Sequence, residues 1–195
     1  MLNVLNSKKD YKNYRWFFTS NDVLVVGGKS DEQNEAAIEN FSKPEYTIMH
    51  TSLPGSSFMI IQTDKPTKKD LEESAIFCAA FSQQWKAGKK VIEIDMFKGS
   101  QVTKGRFMKK GTFGVKGEKK TMKVKPSLVL VIQKGRLRAV PYGKKEKKLA
   151  ELKQGKMNKE EAAMKIMKII RDKFHLPVEK EEILQAIPSD KLMVK

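Results

Sequence analysis

Between residues 27 and 57 lie side chains whose types and spacing suit the binding of an anion. Gly27-Gly28-Lys29-Ser30 stands between an apolar β-rich run, Val23 to Val26, and a helical pattern that opens after Ser30. Ser30 and Gln33 have the spacing of a helix cap. A glycine turn feeding a helix N-terminus leaves backbone N–H groups free to face a phosphate. Asn34 follows one turn on, His50 ends the next strand, and Gly55-Ser56-Ser57 forms a second loop of small residues. Gly28-Lys29-Ser30 looks like the second half of a P-loop, but that motif needs a glycine at position 23, where Val23 stands. Two readings stay open. In one, Lys29 and His50 share a phosphate beside Ser56 and Ser57. In the other, an ordinary capped turn lies near a hydrogen-bonded histidine at a strand end. Asp31 and Glu32, just inside the helix, oppose an anion, so a phosphate there leans on Lys29.

A second group of candidate residues comes from charge. The chain has 195 residues and a net charge of +16. From Lys86 to Lys156 there are 22 Lys and Arg against 5 Asp and Glu, so this segment alone carries +17 and the rest −1. Charge so localised is the footprint of a polyanion, nucleic acid above all. Lys104, Arg106, Lys109, Lys110, Lys116, Lys119 and Lys120 would neutralise phosphates, positioning RNA without reading its sequence. The dominance of Lys over Arg favours point-charge contacts to the backbone. Phe107 and Phe113, interleaved with those lysines, either stack on bases or anchor a hairpin.

Other chemistries find little footing. With two histidines and one cysteine, Cys78, no Cys/His zinc site or internal disulfide is possible, which fits a reducing, cytoplasmic setting. No metal, cofactor or catalytic residue is expected, since nothing near His50 in sequence supplies a partner base or nucleophile. Cys78 belongs to a helical stripe and reads as core. No apolar run approaches the ~18 residues of a membrane helix, and the N-terminus is not a signal peptide. Mean hydropathy is −0.52, as in soluble proteins.

The elements that must position these residues follow from hydrophobic period and turn signals. Residues 1–13 form a lead-in. Residues 15–20 and 22–26 make a hairpin about Asn21, an αL-tolerant residue. A helix spans about 30–41; strands at 46–50 and 57–62 flank the small-residue loop. Thr67 and Asp70 cap a helix running to about Lys86, with Leu71, Ala75, Cys78, Ser82 and Trp85 as its core face. A strand at 91–97 leads into short strands or a long hairpin loop anchored by Val102, Phe107, Phe113 and Met122. Residues 128–132 and 137–140 are strands joined by Lys134-Gly135; residues 144–156 are basic loop or frayed helix. Asn158 caps a long amphipathic helix that Pro177 follows, with a short helix at about 181–186. The expected fold class is α+β: a mostly antiparallel sheet with packed helices and a C-terminal helical extension. The expected division is a lead-in at 1–13, the α+β domain at 14–143, and a basic linker with helical extension at 144–195.

Trp16-Phe17-Phe18-Thr19-Ser20, Leu24-Val25-Val26-Gly27-Gly28-Lys29, Asn34-Glu35, His50 and Gly55-Ser56-Ser57 together resemble the NFACT-R family, the RNA-binding part of NFACT proteins. Ala75, Ala80, Ser82, Trp85, Val102, Lys104, Gly111 and Phe113 extend the likeness with looser spacing, and Leu184 to Pro188 is similar to the end of archaeal members. The match departs where Glu45 to Met49 precede His50 and where Leu53-Pro54 enters the loop. The resemblance implies a stand-alone form of the domain that binds RNA, either tRNA or rRNA, and works with the large ribosomal subunit in translation or its quality control. A separate chain carrying the other NFACT parts is a further implied partner. An RNA- or nucleotide-acting enzyme with a His50 pocket, and a docking module that binds no free RNA, are the alternatives.

Overall fold

The computed structural model describes residues 10–141 and 146–195. Residues 1–9 of the expected lead-in at 1–13 lie outside the described residues. Its end, Tyr11–Asn13, forms a 3-10 turn with Tyr11 packed edge-on against Trp16. The aromatic and β-branched runs pair as a hairpin of β1 (Arg15–Phe18) and β2 (Leu24–Gly27). The left-handed residue in its turn is Asp22 (φ 60°), not Asn21. Asn21 instead donates through its side-chain amide to Thr67 and Asp70, tying the turn to a helix start.

Helix α1 (Asp31–Phe41) follows, then β3 (Thr47–Thr51) and β4 (Met59–Ile61). Helix α2 (Lys68–Ala80) opens on the Thr67–Asp70 capping box. Asp70 is 1% exposed and also accepts from Thr19, so one carboxylate joins cap and hairpin. The helix expected to reach Lys86 breaks at Phe81. Ser82 accepts from the Trp85 N–H and caps a separate turn, α3 (Gln83–Lys86), because a side-chain acceptor there competes with helix continuation. Then come β5 (Ile92–Lys98), β6 (Val102–Thr103), β7 (Gly114–Val115) and β8 (Lys120–Val124).

Strands β1-β2-β4-β3-β5-β8, in that order, form one antiparallel sheet, and β6 and β7 pair separately. Both faces of the large sheet are covered, so β4 is buried throughout and β3 nearly so. Ile48, Ile60 and Phe97 meet Ala37 of α1 on one face. Met49, Met59, Ile61, Ile92 and Ile94 meet α2 on the other.

A second sheet lies beyond α2. It is built from β9 (Leu128–Gln133), β10 (Arg136–Val140), β11 (Ala150–Met157) and, after α4 (Lys159–Phe174) and α5 (Lys180–Ala186), β12 (Leu192–Val194). Its order is β10-β9-β11-β12, all antiparallel. Val131 and Val140 face α2, while Leu128, Leu130, Leu137, Leu152 and Leu192 face α4 and α5. The stretch expected as loop or frayed helix is β11 from Ala150 onward; Tyr142 to Lys145 lie outside the described residues. The lysines of 147–156 mask an alternation in which Ala150 and Leu152 point inward against β9. Strand β12 carries no strong sequence signal, being three residues paired with a partner about forty positions upstream. The second sheet therefore spans the 143/144 position. The fold class is α+β, with five helices and twelve strands among the described residues.

Candidate nucleic-acid interface

Strand β2 runs straight into the capped start of α1. A Cβ on Gly28 would sit 2.5 Å from the backbone N and Oδ1 of Asn34, so only glycine lets the strand end approach the helix this closely. Ser30 Oγ accepts from Gln33 N–H at 3.3 Å, and Gln33 Oε1 accepts from Lys29 N–H at 3.0 Å. From the second loop, Ser57 Oγ donates to the Gly28 carbonyl, and Ser56 Oγ accepts from Thr51 N–H at 2.9 Å. These bonds hold both loops around one cavity of about 310 Å³. Lys29, Asn34, Ser56 and Ser57 all line it.

Arg15, Lys86 and Ser189 line it too, and sequence reading overlooked them. Arg15 opens an aromatic strand and Lys86 ends a helix, positions where basic residues are common; Ser189 is separated from the rest by a hundred residues. The Arg15 guanidinium stacks 4.5 Å above the Phe81 ring, and Arg138 stacks 4.3 Å above Trp16. Burial pushes the Arg15 pKa down to about 10. Burial also takes Arg138 down to about 10, with repulsion from Arg136 adding. The Lys29 ammonium is held below its usual range, first by burial and then by Arg138, Arg15 and Arg136. This corner of the molecule is a concentration of cations.

His50 stands apart. It is not among the residues lining the cavity. It occupies β3, with β4 between it and β2, about 10 Å away by strand spacing. Its Nδ1 lies 2.7 Å from the Thr51 carbonyl, and its ring packs 4.5 Å from that of Phe58. Burial lowers its pKa, against the opposing pull of the Thr51 and Ser56 backbone and Asp95. The neutral form is thereby favoured, and since the Thr51 carbonyl can only accept, Nδ1 carries the proton in that bond.

The basic span divides into a loop and an edge strand. Lys104 is committed internally. Its Nζ pairs with Glu35 of α1 at 2.5 Å, donates to the carbonyls of Lys109 and Thr112, and lies 5.0 Å from the Phe113 ring. Gly111 (φ 75°) lies against Asp31, where a Cβ would come within 2.5 Å of Asp31 Cβ. These contacts seat the loop on the first turns of α1, beside the cavity that Asp31 also lines. Phe113 packs edge-on against Phe58. Phe107, expected as an anchor, is 95% exposed because the loop has no second layer to cover it. Arg106, Lys109 and Lys110 are exposed around it and form no ion pair among the described residues. Lys116 and Lys120 are likewise exposed, near and on β8. Lys119 pairs with Asp95 and Lys123 with Glu93, so part of that edge is internally neutralised.

Residues 13–117 match the family described as NFACT protein RNA binding domain. The chain is 28% identical over 126 residues to the ribosome quality control complex subunit NEMF homolog of Drosophila melanogaster, covering 60% of this chain and 13% of that protein. It is 25% identical over 133 residues to ribosome quality control complex subunit 2 of Schizosaccharomyces pombe, covering 64% and 13%. The chain thus matches about an eighth of the length of these relatives. The C-terminal part of the fibronectin/fibrinogen-binding protein from Streptococcus suis shares the fold, with a TM-score of 0.53 and 22% identity over 58% of this chain and 45% of that one.

Proposed function

The chain belongs to the family of NFACT protein RNA binding domains, and from that premise we propose that it is an RNA-binding module of ribosome quality control. The reading is carried by one observation: Phe107, 95% exposed, stands among Arg106, Lys109 and Lys110, none of them ion-paired to a described residue. The cations neutralise successive phosphates and the aromatic ring stacks on a base, a combination that tolerates any sequence. Lys116 and Lys120 extend the track toward the β8 edge. Its RNA is tRNA or rRNA, met on the large ribosomal subunit in the cytoplasm. No helix among the described residues is long and apolar enough to cross a membrane. We place the boundary between its two units near residues 125–127, between the sheets, rather than at 143/144.

The test is binding of a single-stranded RNA oligomer as salt rises. If about five phosphates are neutralised, log K falls with log salt at a slope of about −3.5, roughly a hundredfold between 50 and 200 mM. Charge reversal at Arg106, Lys109 and Lys110 flattens the slope by about two units with the fold retained. A flat plot for the wild-type chain, or an unchanged slope in the variant, refutes the assignment. Crosslinking with sequencing of the bound RNA then separates tRNA from rRNA.

A further inference from the structure

We infer that the cavity between α1, the 55–57 loop and α3 binds a phosphomonoester, the doubly charged end phosphate of a nucleotide or of an RNA strand. Three cations reach it from separate segments: Arg15 from β1, Lys29 from the β2–α1 turn and Lys86 from α3. Asp31 is the one acid among its lining residues, and none of the three cations has a carboxylate partner among the described residues. The N-terminus of α1, an eleven-residue helix, brings its positive dipole end beside the same cavity, which Ser30 and Asp31 line.

The sign of a ligand is the charge itself. Asn34 lines the cavity, but its Oδ1 faces Gly28 and is closed to solvent, as is Arg15 Nε, so neither atom is open to a ligand. Arg15, stacked on the Phe81 ring, stands with Lys29 and Lys86 around one volume, three cations against the single carboxylate of Asp31. A phosphomonoester brings close to two negative charges to them. Of the lining serines, Ser57 and Ser82 donate to the Gly28 and Ala79 carbonyls, while Ser56 accepts from Thr51 N–H. A volume of about 310 Å³ exceeds the need of a bare phosphate and lies in the range of small-ligand sites.

An end phosphate fits better than an internal one. A phosphodiester carries a single charge, whereas a phosphomonoester carries close to two, the better match to three cations around one cavity. The RNA-end form of the site rests on the RNA-binding reading above; the nucleotide form does not.

The experiment uses the purified full chain and two probe sets. Adenosine monophosphate, adenosine and inorganic phosphate are compared by calorimetry and thermal shift. One RNA oligomer is compared with a 5′-phosphate, a 3′-phosphate or hydroxyl ends. The phosphorylated member of a set should bind at least about tenfold tighter, as expected for several charge-assisted bonds. In K29Q/K86Q, whose replaced side chains make no hydrogen bond or ion pair to a described residue, that ratio should fall to about one. Phosphorylated RNA out-competing the mononucleotide by more than about tenfold identifies a strand end; the reverse identifies a free nucleotide. No preference in either set, or a preference that survives in K29Q/K86Q, overturns the site. Hydroxyl-ended RNA reports on the loop surface alone, so failure of RNA binding with the mononucleotide still bound condemns the RNA-binding reading and leaves the cavity standing.

Discussion

Phe107 and Phe113 share a loop and a residue type, yet their surroundings assign them opposite tasks. Phe113 is half-buried, packing against Phe58 and under Lys104, so F113A should lower stability by about 1–2 kcal/mol and weaken RNA only as the loop loosens. Phe107 touches little, so F107A should leave thermal unfolding unchanged and cost about 1–3 kcal/mol of RNA affinity if it stacks on a base. Equal losses of stability in the two variants would contradict this division. His50 gives a pH prediction. Its folded pKa is depressed by burial below the unfolded 6.5, so the unfolded chain binds the proton more readily. The stability it contributes is therefore fully present above pH 6.5 and is lost as pH falls through the depressed value. Asp70 and Asp95 are also lowered, despite burial, by their hydrogen-bond donors. They act below 3.8, a separate window. H50Q should flatten the stability profile below about pH 6.5 and leave RNA affinity at pH 7.5 within about twofold. A large affinity loss with an unaltered pH profile would return His50 to the binding surface.

At the scale of elements, the basic loop is useful only if it is held still. Lys104 fastens its two ends to Glu35, and Gly111 lets it lie on Asp31. G111A combines positive-φ strain, about 1 kcal/mol, with a clash against α1. It should lower RNA affinity several-fold. Gly88 supplies the control, because it has the same φ of 76° and no atom within 4 Å of a Cβ. G88A should show the strain in thermal unfolding and no effect on RNA, and matching effects on RNA from both variants would deny the loop its anchoring role. The same elements show what the sequence makes legible. Capped helices such as α2 and α4, and the Gly27-Gly28 turn, announce themselves because their determinants lie within four residues. The joining of Lys29 and Asn34 to Ser56 and Ser57 was readable from two glycine-bearing loops flanking adjacent strands. Arg15 and Ser189 were not, since their place in the cavity depends on tertiary packing. Lys104 reads as one more phosphate contact until Glu35, on a distant helix, is seen to claim it.

At the scale of the molecule, the region that matches the family and the unit that folds differ. The match ends at residue 117, before β8 and the whole second sheet. Yet the helices of the first unit are finished by the second. Trp85 is fully buried, donates from Nε1 to the carbonyls of Ser189 and Asp190, and accepts at its own carbonyl from Gln154. Ala80 and Trp85 pack into the cluster built by β9–β12, α4 and α5. Gln133 reaches the open edge of β1, accepting from Phe18 N–H and donating to Phe18 O at 2.9 Å each, as a neighbouring strand would. A chain ending at residue 125 would expose Trp85, whose loss of burial alone costs about 3–5 kcal/mol, and leave the outer edge of β1 without its Gln133 bonds. Since typical domains hold only about 5–15 kcal/mol in total, the shortened chain should not fold cooperatively. The full chain should instead unfold in one transition. In W16F, fluorescence reports Trp85 alone, at the seam, and should change at the same denaturant midpoint as far-ultraviolet circular dichroism. Separated midpoints, or a sharp transition in the chain ending at 125, would show two independent units and would detach Ser189 from the cavity's architecture.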